Sequence, residues 1–194
     1  HPHGNPSRND MHTLARLDDQ LHDAGVTPLT RSVPRWLQGH GPEITAPYAV
    51  LVPGAAFHRP QKRWPTSRFA EIAKALAAKG IRPVIVGTQA EAPLAQDILR
   101  LCPTALDLTG RTTLLELAGV LDQAKIVIGN DTGPMHLAAA MDTPCITLFG
   151  HDSDPRLTAP LTPTAGRTDL IVVPDLAMLP ASRVETCMKA MLSR

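Results

Sequence analysis

Aromatic side chains are scarce in this sequence. Six rings occur in 194 residues (Trp36, Tyr48, Phe57, Trp64, Phe69 and Phe149), so the core has to be built from Leu, Ile, Val and Ala. Modules that bind nucleic acid by stacking bases need aromatic platforms. Charge of one sign is missing too: 19 Lys and Arg against 18 Asp and Glu leave a formal net charge of +1. A globally basic nucleic-acid binder is thereby excluded. The three cysteines, Cys102, Cys145 and Cys187, are odd in number, far apart and form no CxxC, which predicts buried thiols in a reducing compartment. No apolar run is long enough to cross a membrane, because residues 126–149 are interrupted by Asp131, His136, Asp142 and two prolines. The polar start, HPHGNPSRND, holds no apolar signal core, so a cytoplasmic address is expected. Proline, by contrast, is plentiful: 19 residues, about twice the ordinary ~5%, point to stiff loops. The length suits one α/β domain, and a chain of this size buries roughly 70% of its unfolded surface without a disulfide or metal staple.

Residues 11–24 carry Leu14, Leu17 and Leu21 on one helical stripe, with Asp10 available as N-cap and Gly25 as the stop. Residues 26–47 hold Pro28, Pro34, Pro42 and Pro47 among polar residues and read as a connector. The expected organisation is a tail, helix and connector over 1–47, followed by one domain over 48–194. In the latter, apolar runs at 48–52, 83–86, 105–108, 126–128, 145–149 and 170–173 scarcely alternate, as strands buried on both faces of a parallel sheet do. Amphipathic helices are expected between them, near 67–79, 91–101, from Thr113, after Gly133 and near 181–192. Thr113-x-x-Glu116 and Ser182-x-x-Glu185 read as capping boxes. The fold class is therefore α/β, a doubly wound parallel sheet.

Ligands of such sheets bind beyond the carboxyl ends of the strands, and three loops there carry unusual residues. The first, Pro53 to Pro65, has Gly54 for a sharp turn and gathers Arg59, Lys62, Arg63 and Arg68 before a helix. Cations beside a helix N-terminus suit a phosphate; a solvated basic loop with Trp64 as packing anchor is equally consistent with the spacing. Neither G-x-G-x-x-G nor G-x-x-x-x-G-K-[ST] is present there. In the second loop, Gly87 to Glu91, the Glu91 carboxylate could accept ribose hydroxyls, although a plain helix N-terminal charge is the simpler account. The third, Gly129-Asn130-Asp131-Thr132-Gly133 running to His136, sets two glycines around a turn at a helix start. Asp131 and Thr132 could merely cap that helix, but their convergence with His136 favours a ligand site.

In order along the chain, Pro53-Gly54-Ala55, Lys62-Arg63-Trp64-Pro65, Gly87 with Glu91, Leu108-Thr109-Gly110 with Leu114, Gly129-Asn130-Asp131-Thr132-Gly133 through His136-Leu137-Ala138-Ala139-Ala140, and Phe149-Gly150 resemble glycosyltransferase family 9, the lipopolysaccharide heptosyltransferase family. The resemblance spans roughly residues 48–192, and 11–47 are similar to the segment joining that family's two domains. It implies the C-terminal, Rossmann-like half of a GT-B fold, which binds a nucleoside-diphosphate sugar, with an ADP-sugar the first choice. By resemblance Lys62 neutralises the diphosphate, Glu91 holds the ribose and Asp131 contacts the sugar. Gly54 shapes the turn, Thr132 and Gly133 give backbone amides to phosphate, and His136 supports the loop or the phosphate. The reaction implied is an inverting transfer of a sugar, heptose in the family's best-known members, to a lipid-linked saccharide acceptor. Neither a metal nor another cofactor is implied, and nothing resembles a metal-binding D-x-D. A place on the inner face of the inner membrane, by peripheral contact at most, agrees with such an acceptor.

The sequence departs from the family in two ways. The loop between Gly54 and Lys62 is longer, which leaves residues 55–61 without assigned roles. The family's N-terminal acceptor domain, which carries the general base, has no counterpart in these residues, so no catalytic residue is assigned and the isolated chain is expected to be inactive. The alternatives are a non-catalytic nucleotide-binding module that needs a separate acceptor-domain partner, and a nucleotide-dependent oxidoreductase, which the absent glycine fingerprint disfavours.

Overall fold

A strand that is apolar on both faces must be covered on both, and helices arriving from alternate sides do this. The computed structural model describes residues 7–27, 30–56 and 59–194. The polar start through Pro6, Pro28 of the connector, and Phe57 and His58 of the first loop lie outside the described residues. Six strands, β1 (Tyr48–Val52), β2 (Arg82–Ile85), β3 (Leu106–Asp107), β4 (Val127–Asn130), β5 (Cys145–Phe149) and β6 (Thr168–Val172), form one sheet in the order β3-β2-β1-β4-β5-β6. Every pairing is parallel, and Val50 of β1 sits between Val84 and Val127. The doubly wound sheet is as expected.

On one face α2 (Thr66–Ala77), α3 (Ala92–Leu101) and α7 (Ala181–Leu192) bury Phe69, Ile72, Ile98 and Val184 against Leu51, Ile85 and Ile128. On the other, α4 (Leu114–Asp122) and α5 (Gly133–Ala140) pack Leu121, Met135 and Ala138 on Val50, Val84 and Val127. Gly129 lets α5 press on the sheet: a Cβ there would lie 2.5 Å from Val52 Cβ and 2.8 Å from Met135 Sδ. The central strands β1, β4 and β5 are buried throughout, whereas edge strand β6 leaves Leu170 and Val172 exposed. Continuous apolarity thus overstates burial at this edge strand, which buries Ile171 on one face and leaves Leu170 and Val172 uncovered on the other.

Two local expectations need correction. Helix α1 (Thr13–Asp23) is capped by His12, whose Nδ1 accepts from Leu14 N–H at 3.2 Å; Asp10 instead lies in a short 3-10 turn, Arg8–Asp10. The Thr113–Glu116 box forms with both bonds, but Ser182 lies inside α7, behind Pro180 at the cap, and Glu185 pairs with Lys189 at 2.6 Å. The proline-rich connector is largely exposed but touches the domain at defined points. Leu37 packs on Ala118 and Met141, and the His40 carbonyl rests where any side chain at Gly119 would stand. Gly41, at φ +103°, approaches Glu116 O so closely that a Cβ would come within 2.7 Å. Gly119, in the middle of α4, is what makes room for the His40 carbonyl.

Candidate functional site

The order of the sheet reverses between β1 and β4, and a crevice opens beyond their carboxyl ends. It is a cleft of about 920 Å³, walled by Ala55 and Arg63 from the first loop, Gly87 to Glu91 from the second, Gly110 to Leu117, and Asp131 to Pro134 from the third. The three loops singled out by the sequence therefore meet in one place.

Trp64 fixes the first loop. Its indole is buried, Nε1 donates to Leu179 O at 2.9 Å, and the ring meets Phe69 edge-on with centroids 4.9 Å apart. Its backbone N–H donates to Asn130 Oδ1 at 3.0 Å. The fully buried Asn130 amide also donates to Pro53 O at 2.9 Å and Gly54 O at 3.2 Å, so one side chain ties both ends of the first loop to the third. Thr113 and Glu116 hold the start of α4 on the opposite wall.

Anchored so, the cations of the first loop separate. Arg68 turns outward to Glu71 at 2.9 Å and Arg59 is exposed, so the four do not act as one cluster. Lys62 Nζ lies 3.0 Å from Asp131 Oδ2, in a pair with both side chains largely shielded. Arg63 faces the cleft, donates from Nη2 to Ala55 O at 3.2 Å, and keeps a buried Nε with no partner among the described residues.

In the second loop, Thr88 N–H and Oγ1 donate to Glu91 Oε2 at 2.7 and 3.1 Å. That is a capping box on the 3-10 turn Gln89–Glu91, so the simpler account of Glu91 holds for this oxygen. Oε1 instead lies against Gly54, at a place any side chain there would fill. Gly54 and Glu91 are therefore neighbours, and Glu91 is at once a cap and part of the cleft wall.

The third loop departs from simple capping. Thr132 is the N-cap of α5 by backbone but makes no side-chain cap, and Asp131 spends its carboxylate on Lys62 and on Ser153 Oγ, which donates to Oδ2 at 2.6 Å. Nothing lies within 4 Å of a Cβ added at Gly133, so the start of α5 opens into space. The first amides of a helix have no intrahelical carbonyl to reach and carry the positive end of its dipole. An anion is the natural occupant of such a place.

His136 stands half-exposed on the first turn of α5, its Nε2 3.9 Å from Asp131 Oδ1, beyond hydrogen-bond reach and outside the cleft wall. Burial lowers its pKa below the ordinary histidine value, with Asp131 opposing and His12 adding to the effect. A histidine whose folded pKa is depressed binds more protons when unfolded, so its contribution is complete above the ordinary value and is lost as pH falls through the folded one. Calorimetric Tm is therefore expected to fall on acidification below about pH 6.5, and more steeply than in His136→Gln. Parallel pH profiles for the two proteins would contradict this.

Arg63, Asn130 and Ser153 were not among the site residues expected from sequence. Arg63 had a signal in the K-R-W-P run and Asn130 in the run from Gly129 to Gly133, though without a role for either; Ser153 had none, because its partner is distant in the chain.

The model of glycosyltransferase family 9 (heptosyltransferase) matches residues 12–179. The chain belongs to this family. It is 35% identical over 124 residues to lipooligosaccharide heptosyltransferase 2 of Haemophilus influenzae, covering 61% of this chain and 35% of that protein. To lipopolysaccharide heptosyltransferase 2 of Escherichia coli it is 35% identical over 121 residues, covering 60% and 34%. Among solved structures, E. coli ADP-heptose lps heptosyltransferase II superposes with TM-score 0.69 at 28% identity, over 77% of this chain and 47% of that one. E. coli heptosyltransferase WaaC with ADP gives 0.75 at 26% identity, over 93% and 57%. The family 9 chain thus spans about a third of the length of these curated relatives, and its sheet corresponds to one Rossmann-like half of their GT-B architecture. No helix among its described residues is long and apolar enough to cross a membrane.

Proposed function

We propose that this chain binds the donor of a heptosyltransferase: a nucleoside-diphosphate sugar, with ADP-heptose the first choice. Residues 48–194 form the donor domain and 1–47 the tail and connector to an acceptor domain. The observation that carries the reading is the meeting, at the β1–β4 crevice, of the open start of α5 with Arg63 and with Asp131, which holds Lys62 at 3.0 Å. Thr132 and Gly133 offer amides to the diphosphate, Lys62 and Arg63 offer charge, Glu91 takes the ribose, Asp131 faces the sugar and His136 supports the loop.

In the reaction an acceptor hydroxyl oxygen bonds to the anomeric carbon from the face opposite the leaving group. The bond from that carbon to the diphosphate oxygen breaks, and the nucleoside diphosphate keeps the electron pair. The acceptor proton passes to a base supplied by the acceptor domain, so the chain alone binds the donor without transferring its sugar. Fixed cations and helix amides stabilise the charge that develops on the leaving diphosphate. No metal is needed for that, and the acceptor is a lipid-linked saccharide met at the cytoplasmic face of the membrane.

Calorimetric titration with ADP, UDP and GDP tests the reading. Saturable binding of at least one is expected, with ADP tightest and EDTA without effect. Absence of binding by all three up to about millimolar concentration, roughly the −4 kcal/mol level, would overturn it.

A further inference from the structure

Asp131 is satisfied on one side only. Both its donors, Ser153 Oγ at 2.6 Å and Lys62 Nζ at 3.0 Å, reach the same oxygen, Oδ2. No hydrogen bond among the described residues reaches Oδ1; the nearest charged group is His136 Nε2 at 3.9 Å. The backbone of Asp131 is fixed as well, its N–H donating to Leu148 O at 3.1 Å. Asp131 lines the cleft, whereas Ser153 and Lys62 are not part of its wall.

The two donors are not equivalent. Lys62 is a long ammonium side chain, and a diphosphate at the start of α5 competes with Asp131 for it. Ser153 is uncharged and short, and its loop is held at both ends. Asp154 caps α6 (Pro155–Thr158) by accepting from Arg156 N–H at 2.9 Å, and His151 Nδ1 lies 3.0 Å from Pro174 O. Once a diphosphate draws Lys62 away, Ser153 alone keeps Oδ2 engaged, and Oδ1 of this cleft-lining residue stays without a hydrogen bond among the described residues.

We infer that Ser153 is a positioning residue for donor-sugar recognition, acting through Asp131 so that the chain distinguishes a nucleoside-diphosphate sugar from the bare diphosphate. This rests on the donor-binding reading above. The oxygen held free, Oδ1, is the one that accepts hydroxyls of the sugar, while the bare diphosphate needs only Lys62, Arg63 and the helix amides.

The test is titration of the whole chain with ADP and with ADP-heptose, for the parent, Ser153→Ala, Ser153→Thr, Asp131→Ala and the Ser153→Ala/Asp131→Ala pair. Ser153→Ala is expected to weaken ADP-heptose by about tenfold, the lower end for a hydrogen bond to a charged group, and ADP by less than about threefold, within the scatter of uncoupled changes. Ser153→Thr, which keeps the hydroxyl, restores the preference. In the Asp131→Ala background, Ser153→Ala has no further effect on ADP-heptose. Equal factors for the two ligands, or an undiminished Ser153→Ala effect without Asp131, overturn the inference while leaving donor binding intact. A parent chain that binds neither ligand overturns the donor-binding reading and this inference with it.

Discussion

Trp64→Ala lowers the unfolding free energy by about 3–5 kcal/mol, the usual cost of truncating a large buried aromatic. Three losses combine. The indole fills the junction between α2 and the segment before α7, and it is among the largest fully buried side chains. Its edge-to-face contact with Phe69 disappears, and Leu179 O loses the donor that satisfied it. Because Lys62 and Arg63 directly precede Trp64, the truncated chain also holds these cations less firmly, and ADP binding weakens under conditions where the chain remains folded. Trp64→Phe keeps a ring for Phe69 but not the N–H, and recovers part of the stability. Urea denaturation followed by far-ultraviolet circular dichroism reads both variants. A cost below about 1 kcal/mol, as for an ordinary surface change, would show that the loop is anchored elsewhere.

Lys62→Ala weakens ADP binding by about 1.5–3 kcal/mol, the value of a hydrogen bond to a charged group, or roughly 10- to 150-fold in Kd. In the empty chain Lys62 is paired with Asp131, so binding exchanges one carboxylate partner for a more highly charged phosphate. Its loss leaves Asp131 facing the diphosphate as an uncompensated like charge, which adds to the effect. Binding of the unmodified adenosine nucleoside, which lacks the phosphates, changes little. Calorimetry with ADP and adenosine separates the two contributions; equal weakening of both would place Lys62 outside the phosphate subsite. Lys62→Arg restores only part, since a planar guanidinium does not reproduce a point ammonium.

The central fold was legible because its signals are local. Unalternating apolar runs mark β1, β4 and β5, and the box at Thr113 and Glu116 lies within four residues. Caps were legible only where the usual residue does the usual work. A histidine nitrogen capping α1 has no strong sequence signature, and Ser-x-x-Glu is equally at home inside α7, where Glu185 reaches forward to Lys189. The proline-rich segment was legible as a connector, but the place where it docks was not. Its docking depends on Gly119, a residue of another element that leaves room for the His40 carbonyl.

The site divides in the same way. The three loops could be picked out as strand-to-helix turns bearing unusual residues, and the sheet order brings them together. What holds them could not be read. Asn130 joins residues 66 and 77 positions away, Lys62 meets Asp131 across 69 positions, and Ser153 arrives from the turn after β5. Such bonds depend on tertiary placement and leave no periodicity behind. Glu91 falls between the two cases: its capping role is local and was open to view, whereas its approach to Gly54 was not.

Amide chemical-shift mapping of the isotope-labelled chain during titration with ADP addresses the diphosphate site most directly. The expected result is a saturable set of shifts concentrated at Gly54, Thr88, Glu91, Thr132 and Gly133, with the Thr132 and Gly133 amides moving most and their movement much reduced in Lys62→Ala. Shifts confined to other surfaces, or a spectrum unchanged by ADP, would contradict a diphosphate held at the start of α5.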